Sequence, residues 1–259
     1  MSKHWINFPC TIGQTRSWIS FDYGIRDEIK ALPFANCIMF KIDFSSPTNE
    51  GFLQNDEAPQ VAKVEDDLID RIDKQGGIFV GHITKNGERI FYFYSNANEQ
   101  MAELIANKAT SITTYQVYSD CIVDEERSTY LNELYPSQDD WQVIKDIRIE
   151  DALRKNGDPL NLPRKIIHWS YFPSAADRSK FVGEIGCRFS EVRLFDAPTS
   201  KFGEFGVEIN HVGLPDHISM NEITLLLARK SRAFSGIYDG WEAELCKKTN
   251  FDAIVPKKD

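Results

Sequence analysis

Residues 37–44 alternate apolar and polar positions so that Ile38, Phe40, Ile42 and Phe44 share one face, the period-two pattern of a strand. After a loop marked by Pro47, Gly51 and Pro59, Val61, Val64, Leu68 and Ile72 recur at intervals of three and four. That spacing predicts a helix over 61–75, which Gly76 and Gly77 can end. Strands are expected at 78–83 and 88–94, joined through Lys85-Asn86-Gly87, because Asn-Gly tolerates the positive φ angles of a tight hairpin turn. Asn96, with Glu99 three residues on, reads as the N-cap of a helix carrying Met101, Leu104 and Ile105. Residues 112–118, β-branched and aromatic, read as a closing strand, and 18–23 as an additional N-terminal one.

The same order recurs further on. Strands are expected at 166–172, 187–195, 205–211 and 237–246, with helices over 174–185 and from Ser219 onward. Ser219 and Glu222 form a capping-box pattern, with Ile218 and Ile223 spaced as a hydrophobic staple and Met220, Leu227 and Phe234 continuing an apolar stripe. Between the halves, Pro136, Ser137, Gly157, Asp158, Pro159 and Pro163 flank a short charged stretch. The expected organisation is therefore a domain at 1–142, a linker at 143–163 and a domain at 164–259. Each domain reads as α+β and ferredoxin-like, with the element order βαββαβ and an antiparallel sheet. In that topology both helices cover one sheet face, so the other face needs solvent, an added element or a partner.

Composition narrows the function classes. Of 259 residues, 42% are hydrophobic and 12% aromatic, enough for packed cores. Net charge is -9, and it is unevenly placed: residues 1–134 carry 20 acidic and 12 basic side chains, residues 135–259 carry 19 and 18. This balance argues against a nucleic-acid groove. No apolar run approaches a membrane span, and the first ten residues lack the apolar core of a secretory signal, so a cytoplasmic protein is expected. Five cysteines without a C-x-x-C pair read as reduced thiols.

Candidate chemistry is sparse. The five histidines are scattered and no helix carries H-x-x-x-H, so no metal site, cofactor or catalytic residue is expected. Three surfaces are candidates instead. Glu65, Asp66, Asp67, Asp70 and Asp73 lie along the outer side of the 61–75 helix and could meet a basic partner. Phe91, Tyr92, Phe93 and Tyr94 fall on the third core strand, where RNA-recognition domains of this topology present stacking rings, although the acidity of the domain opposes phosphate. Tyr238, Asp239, Gly240 and Trp241 offer two aromatic anchors for a protein partner, or else a bulge with buried rings. A small-molecule binder or hydrolase at the domain junction is a further alternative.

Two resemblances extend this reading. Leu225-Leu226-Leu227-Ala228 through Phe234, followed by Tyr238-Asp239-Gly240-Trp241-Glu242, resembles the C-terminal end of the family of the regulator of ribonuclease E activity B, over about residues 164–248. Trp18, Lys85-Asn86-Gly87-Glu88-Arg89, Phe91-Tyr92-Phe93-Tyr94 and Asp140-Trp141 are similar to the bacterial family called domain of unknown function 695, which implies no activity. The first resemblance implies a non-enzymatic α+β protein that binds an endoribonuclease and inhibits RNA cleavage. The resembling half is nearly neutral, so the acidity expected of such a regulator lies in the other half.

Overall fold

A computed structural model describes residues 4–189 and 191–246, which fall in two compact units, Met1–Ser137 and Gln138–Asp259. Both are α+β with antiparallel sheets. Among the described residues no helix is long and apolar enough to cross a membrane.

The first unit holds β1 (Trp5–Ile12), β2 (Thr15–Asp22), β3 (Asn36–Asp43), α1 (Ala58–Asp73), β4 (Ile78–Lys85), β5 (Glu88–Ser95), α2 (Glu99–Ile112) and β6 (Tyr118–Val123). They build a six-stranded sheet in the order β1-β2-β4-β5-β3-β6. The β4–β5 hairpin turns at Asn86 and Gly87, φ 48° and 82°, as the Asn-Gly pair requires. Val61, Val64, Leu68 and Ile72 of α1 and Ala102, Ile105, Ala106 and Ala109 of α2 pack on Ile38, Phe40, Ile42, Phe91 and Phe93, which makes one core on one sheet face.

The opposite face is closed by the chain itself. Beyond β6 a strap over 124–135, with a π-helical turn at Tyr130–Leu134, lies against Tyr92, Tyr94 and Phe21. The Tyr94 hydroxyl donates to Asp124 at 2.6 Å, and the Tyr130 hydroxyl donates to the carbonyl of Asp22 at 2.7 Å. Buried Arg127 donates to the carbonyls of Ile29, Leu32 and Asp124, and its guanidinium stacks 5.1 Å from the Tyr94 ring.

In the second unit, α3 (Gln138–Lys155) precedes β7 (Arg164–Phe172), α4 (Ala175–Ile185), β8 (Glu191–Asp196), β9 (Phe205–Gly213), α5 (His217–Ala233) and β10 (Ile237–Ala243). The sheet order is β10-β7-β9-β8, the same succession as β6-β3-β5-β4 in the first unit. Phe172, Phe181, Ile185, Val207, Ile209, Leu227 and Tyr238 form its core.

Local readings shift in several places: the single strand expected at 18–23 is the second of an antiparallel pair, β1 and β2, and the strand expected from 187 begins only at Glu191, after a helical turn at Gly186–Arg188. Helix α2 is capped by Asn98, which accepts from Met101 N; Asn96 instead ties Ala35 N to Pro33 O. The run 112–118 is not a strand, because α2 continues to Ile112 and the strand begins at Tyr118. Helix α5 begins two residues before Ser219: Asp216 is its N-cap and accepts from Ser219 N, and Ile218 is exposed rather than stapled. The first half of the expected linker is helix α3, whose polar positions are buried by specific hydrogen bonds instead of by an apolar stripe.

Candidate functional site

The second unit presents two contrasting sheet faces, and β7 decides which residue goes where. Its alternation buries Ile166, His168, Ser170 and Phe172 under the helices and leaves Ile167, Trp169 and Tyr171 half-buried on the opposite side.

Strand β10 would lose this parity without a bulge. Tyr238 and Trp241 are three apart, so a regular strand would point them to opposite faces. The register slips between Tyr238, opposite Ser170, and Gly240, opposite Trp169; Gly240 takes φ 142°, which a side chain would oppose. Both rings therefore enter the interior, at 4% and 5% exposure, while Asp239 stays outside.

Inside, the rings anchor a buried polar seam. Trp241 Nε1 donates to Asp146 Oδ1 at 2.9 Å, Gln142 donates to the same oxygen, and Thr224 donates to Oδ2 at 2.6 Å. Burial raises the Asp146 carboxyl above its usual range, against the pull of those three donors. The Tyr238 hydroxyl lies 2.7 Å from His168 Nδ1, and His168 Nε2 lies 3.0 Å from His211 Nδ1. Burial, helped by the neighbouring His211, lowers the His168 pKa to about 3, and burial lifts that of Tyr238 well above 10. A neutral imidazole between a phenol and a second imidazole satisfies its neighbours. At the end of α3, Glu150 accepts from the backbone and ring of His217 and from Arg154, and these donors hold its carboxyl low despite burial.

The outer face is a ring cluster. Phe195 of β8 meets Trp169 at 5.7 Å and Tyr171 at 5.9 Å, both edge to face, and Phe202 lies 6.0 Å from Tyr171. Gly206 makes room for it: a Cβ there would sit 2.2 Å from the Phe195 ring. Ile237 and Val212 extend this face into solvent, and Arg193–Glu208 and Lys165–Glu191 ion pairs cross it. Rigid, half-buried rings with an apolar margin can bind another protein without rearrangement.

The family model for a family of unknown function (DUF695) matches residues 3–135, just over half of the chain. The chain belongs to the DUF695 family. A second model, regulator of ribonuclease activity B, matches residues 144–243, so the polar seam and the ring cluster both lie within it. No curated protein matches this DUF695 protein significantly. Among solved structures, the crystal structure of an unknown protein from Galdieria sulphuraria is 10% identical, covering 79% of this chain and 96% of that one, with a TM-score of 0.23. The crystal structure of a putative glycine cleavage system transcriptional repressor is 7% identical, covering 82% and 100%, with a TM-score of 0.25. Neither likeness bears on function.

In this DUF695 protein the three surfaces expected from sequence fare differently. Phe91, Tyr92, Phe93 and Tyr94 are at most 3% exposed, so they offer no base-stacking platform: two rings face α1 and α2, and two face the strap. The acidic run is partly spent. Glu65 turns inward to His82 at 3.0 Å and Arg89 at 3.7 Å, and Asp67 and Asp70 pair with Arg71 and Lys74, which leaves Asp66 and Asp73 exposed. Tyr238 and Trp241 are interior, so they are not contact anchors. Among the described residues no three His, Cys, Asp or Glu could hold a metal ion, and burial pushes the Cys37 thiol up to about 12. The sequence reading missed the outer rings. Their signal was available in β7, where Trp169 and Tyr171 share the parity opposite to Ile166 and Phe172.

Proposed function

We propose that this DUF695 protein is a non-enzymatic, cytoplasmic regulator that works by protein contact, its second unit binding an endoribonuclease and slowing RNA cleavage. The observation that carries the reading is the match of residues 144–243 to the regulator of ribonuclease activity B model. The ring cluster supports it as the contact surface, because Trp169, Tyr171 and Phe195 are already ordered and lose little entropy on binding. Of the cations on that face, Arg193 and Lys165 pair with Glu208 and Glu191, and the exposed Lys201 ammonium lies over the Phe202 ring at 4.9 Å.

The test is a binding and cleavage assay with a purified ribonuclease E-type endoribonuclease and a fluorescent RNA oligonucleotide. The full chain should bind the enzyme at low salt and reduce its cleavage rate, while cleaving no RNA itself. Truncation of an interface anchor costs about 2 kcal/mol or more, so Trp169→Ala should weaken binding roughly thirtyfold. Absence of binding at low salt, or equal inhibition by Trp169→Ala and the parent, would overturn the assignment.

A further inference from the structure

Tyr238, His168 and His211 form a hydrogen-bonded chain across three adjacent strands of the second unit, β10, β7 and β9. It runs from the interior outward. Tyr238 and His168 are buried, whereas His211 is half-buried and its Nε2 reaches solvent. Both nitrogens of His168 are taken, Nδ1 by the Tyr238 hydroxyl and Nε2 by His211 Nδ1. Among the described residues Tyr238 has no second hydrogen-bond partner.

These contacts fix where the protons lie. A phenol has one O–H and a neutral imidazole one N–H, so a single arrangement satisfies every buried atom. In it Tyr238 donates to His168 Nδ1, His168 donates from Nε2 to His211 Nδ1, and His211 carries its own proton on Nε2, toward water. Few charges bear on the chain. Asp146 of α3 and Asp239 of β10 oppose ionisation of Tyr238, and His211 opposes a charge on His168. Among the described residues no carboxylate, and no charged side chain of α4 or α5, acts on either imidazole, and the Phe189 ring lies 6.4 Å from His211. Burial lowers the pKa of both histidines, so both rings are neutral at neutral pH.

We propose that this chain is a proton-operated latch: His211 takes up one proton from water at Nδ1, the row of hydrogen bonds reverses, and the start of β10 loosens. Charged His211 can only donate from Nδ1, so His168 must accept at Nε2 and carry its proton on Nδ1 instead, with no net charge on that ring. Tyr238 then accepts from His168, and its own hydroxyl hydrogen is left without an acceptor in the interior. That side chain anchors a sensitive stretch. The register of β10 slips immediately after Tyr238, and just before it Gly236 is so close to Phe172 that a Cβ would lie 2.4 Å from the ring. Because the folded histidines bind protons less readily than unfolded ones, whose ordinary value is about 6.5, the latch is shut above about pH 6.5 and opens as the pH falls below it. It operates whether or not the ring face binds a ribonuclease.

The experiment follows the imidazole nitrogens of the full chain by NMR from about pH 8 to about pH 5, with hydrogen exchange of the β10 amides over the same range. His211 should titrate below its ordinary value, and at that same midpoint the His168 proton should move from Nε2 to Nδ1 while the ring stays neutral. Amides at 237–240, corrected for intrinsic rates, should exchange about tenfold faster below the midpoint than above it, the effect of one stranded buried hydroxyl. His211→Asn places an amide oxygen near the position of Nδ1 but takes up no proton, so its corrected exchange should not change with pH, and a parent-like amide spectrum at about pH 8 checks its fold. A His168 that keeps its proton on Nε2 throughout, or becomes charged together with His211, would overturn the proposal. So would a His211 that stays neutral to about pH 5, unchanged protection at 237–240, or the same acid loosening in His211→Asn. The proton position on His168 is read in the parent chain, so it decides the outcome even where the variant does not fold.

Discussion

Asp146 concentrates the chemistry of the second unit in one side chain. It is fully buried and receives hydrogen bonds from Gln142, Thr224 and Trp241, three donors that no solvent can serve. Its charge is a cost and its acceptors are the benefit, which separates two substitutions. Asp146→Ala strands all three donors and should lower stability by about 3 kcal/mol. Asp146→Asn keeps an acceptor for Gln142 and Trp241, while Thr224 can turn its hydroxyl to the Asn221 carbonyl 3.3 Å away. Its cost should stay within about 1 kcal/mol, because a buried carboxylate is exchanged for a neutral group of the same shape. Urea unfolding followed by tryptophan fluorescence measures both, and equal losses would mean that the charge itself is needed.

At the scale of elements, helix ends show where sequence is ambiguous. Asp216 and Ser219 are both good cap residues three apart, and both sit ahead of an apolar stripe. The structure uses Asp216. Asp216→Ala should therefore cost about 1 kcal/mol and Ser219→Ala a few tenths, read from the same unfolding curves. The Asn96 and Asn98 pair posed the same choice, decided by the demands of the neighbouring 33–35 segment, which lies far away in sequence. Strand and helix identity was legible wherever an apolar period was strong, as in α1 and β3–β5. It was not legible in α3, whose buried positions include Gln142, Asp146 and Glu150; residues of that kind look solvent-bound until their partners on α5 and β10 are known. Among the site residues, the inward turn of Trp241 depended on a bulge that Gly240 permits but does not announce.

For the whole molecule, α3 decides where the second unit begins. A fragment spanning 138–259 retains the partners of Trp241, Thr224 and His217, and should show cooperative unfolding and dispersed amide signals. A fragment beginning at 164 loses all of them and should be a poorly packed, dye-binding species; native-like behaviour of that shorter piece would show α3 to be dispensable. The two units also treat the sheet face away from their helices in opposite ways, with a covalent strap in the first and half-buried rings in the second. Arg127 governs the first solution. Its guanidinium spans carbonyls at Ile29, Leu32 and Asp124, and its backbone holds a left-handed φ of 60° that a larger peptide rearrangement would have to release. The strap and the turn at 29–32 are thereby latched to each other: neither can peel away alone without abandoning a cation in an apolar setting. A shorter or uncharged side chain at 127 would free both segments at once, so the cover over that sheet face and the turn beside β2 should be lost in one step and not in two.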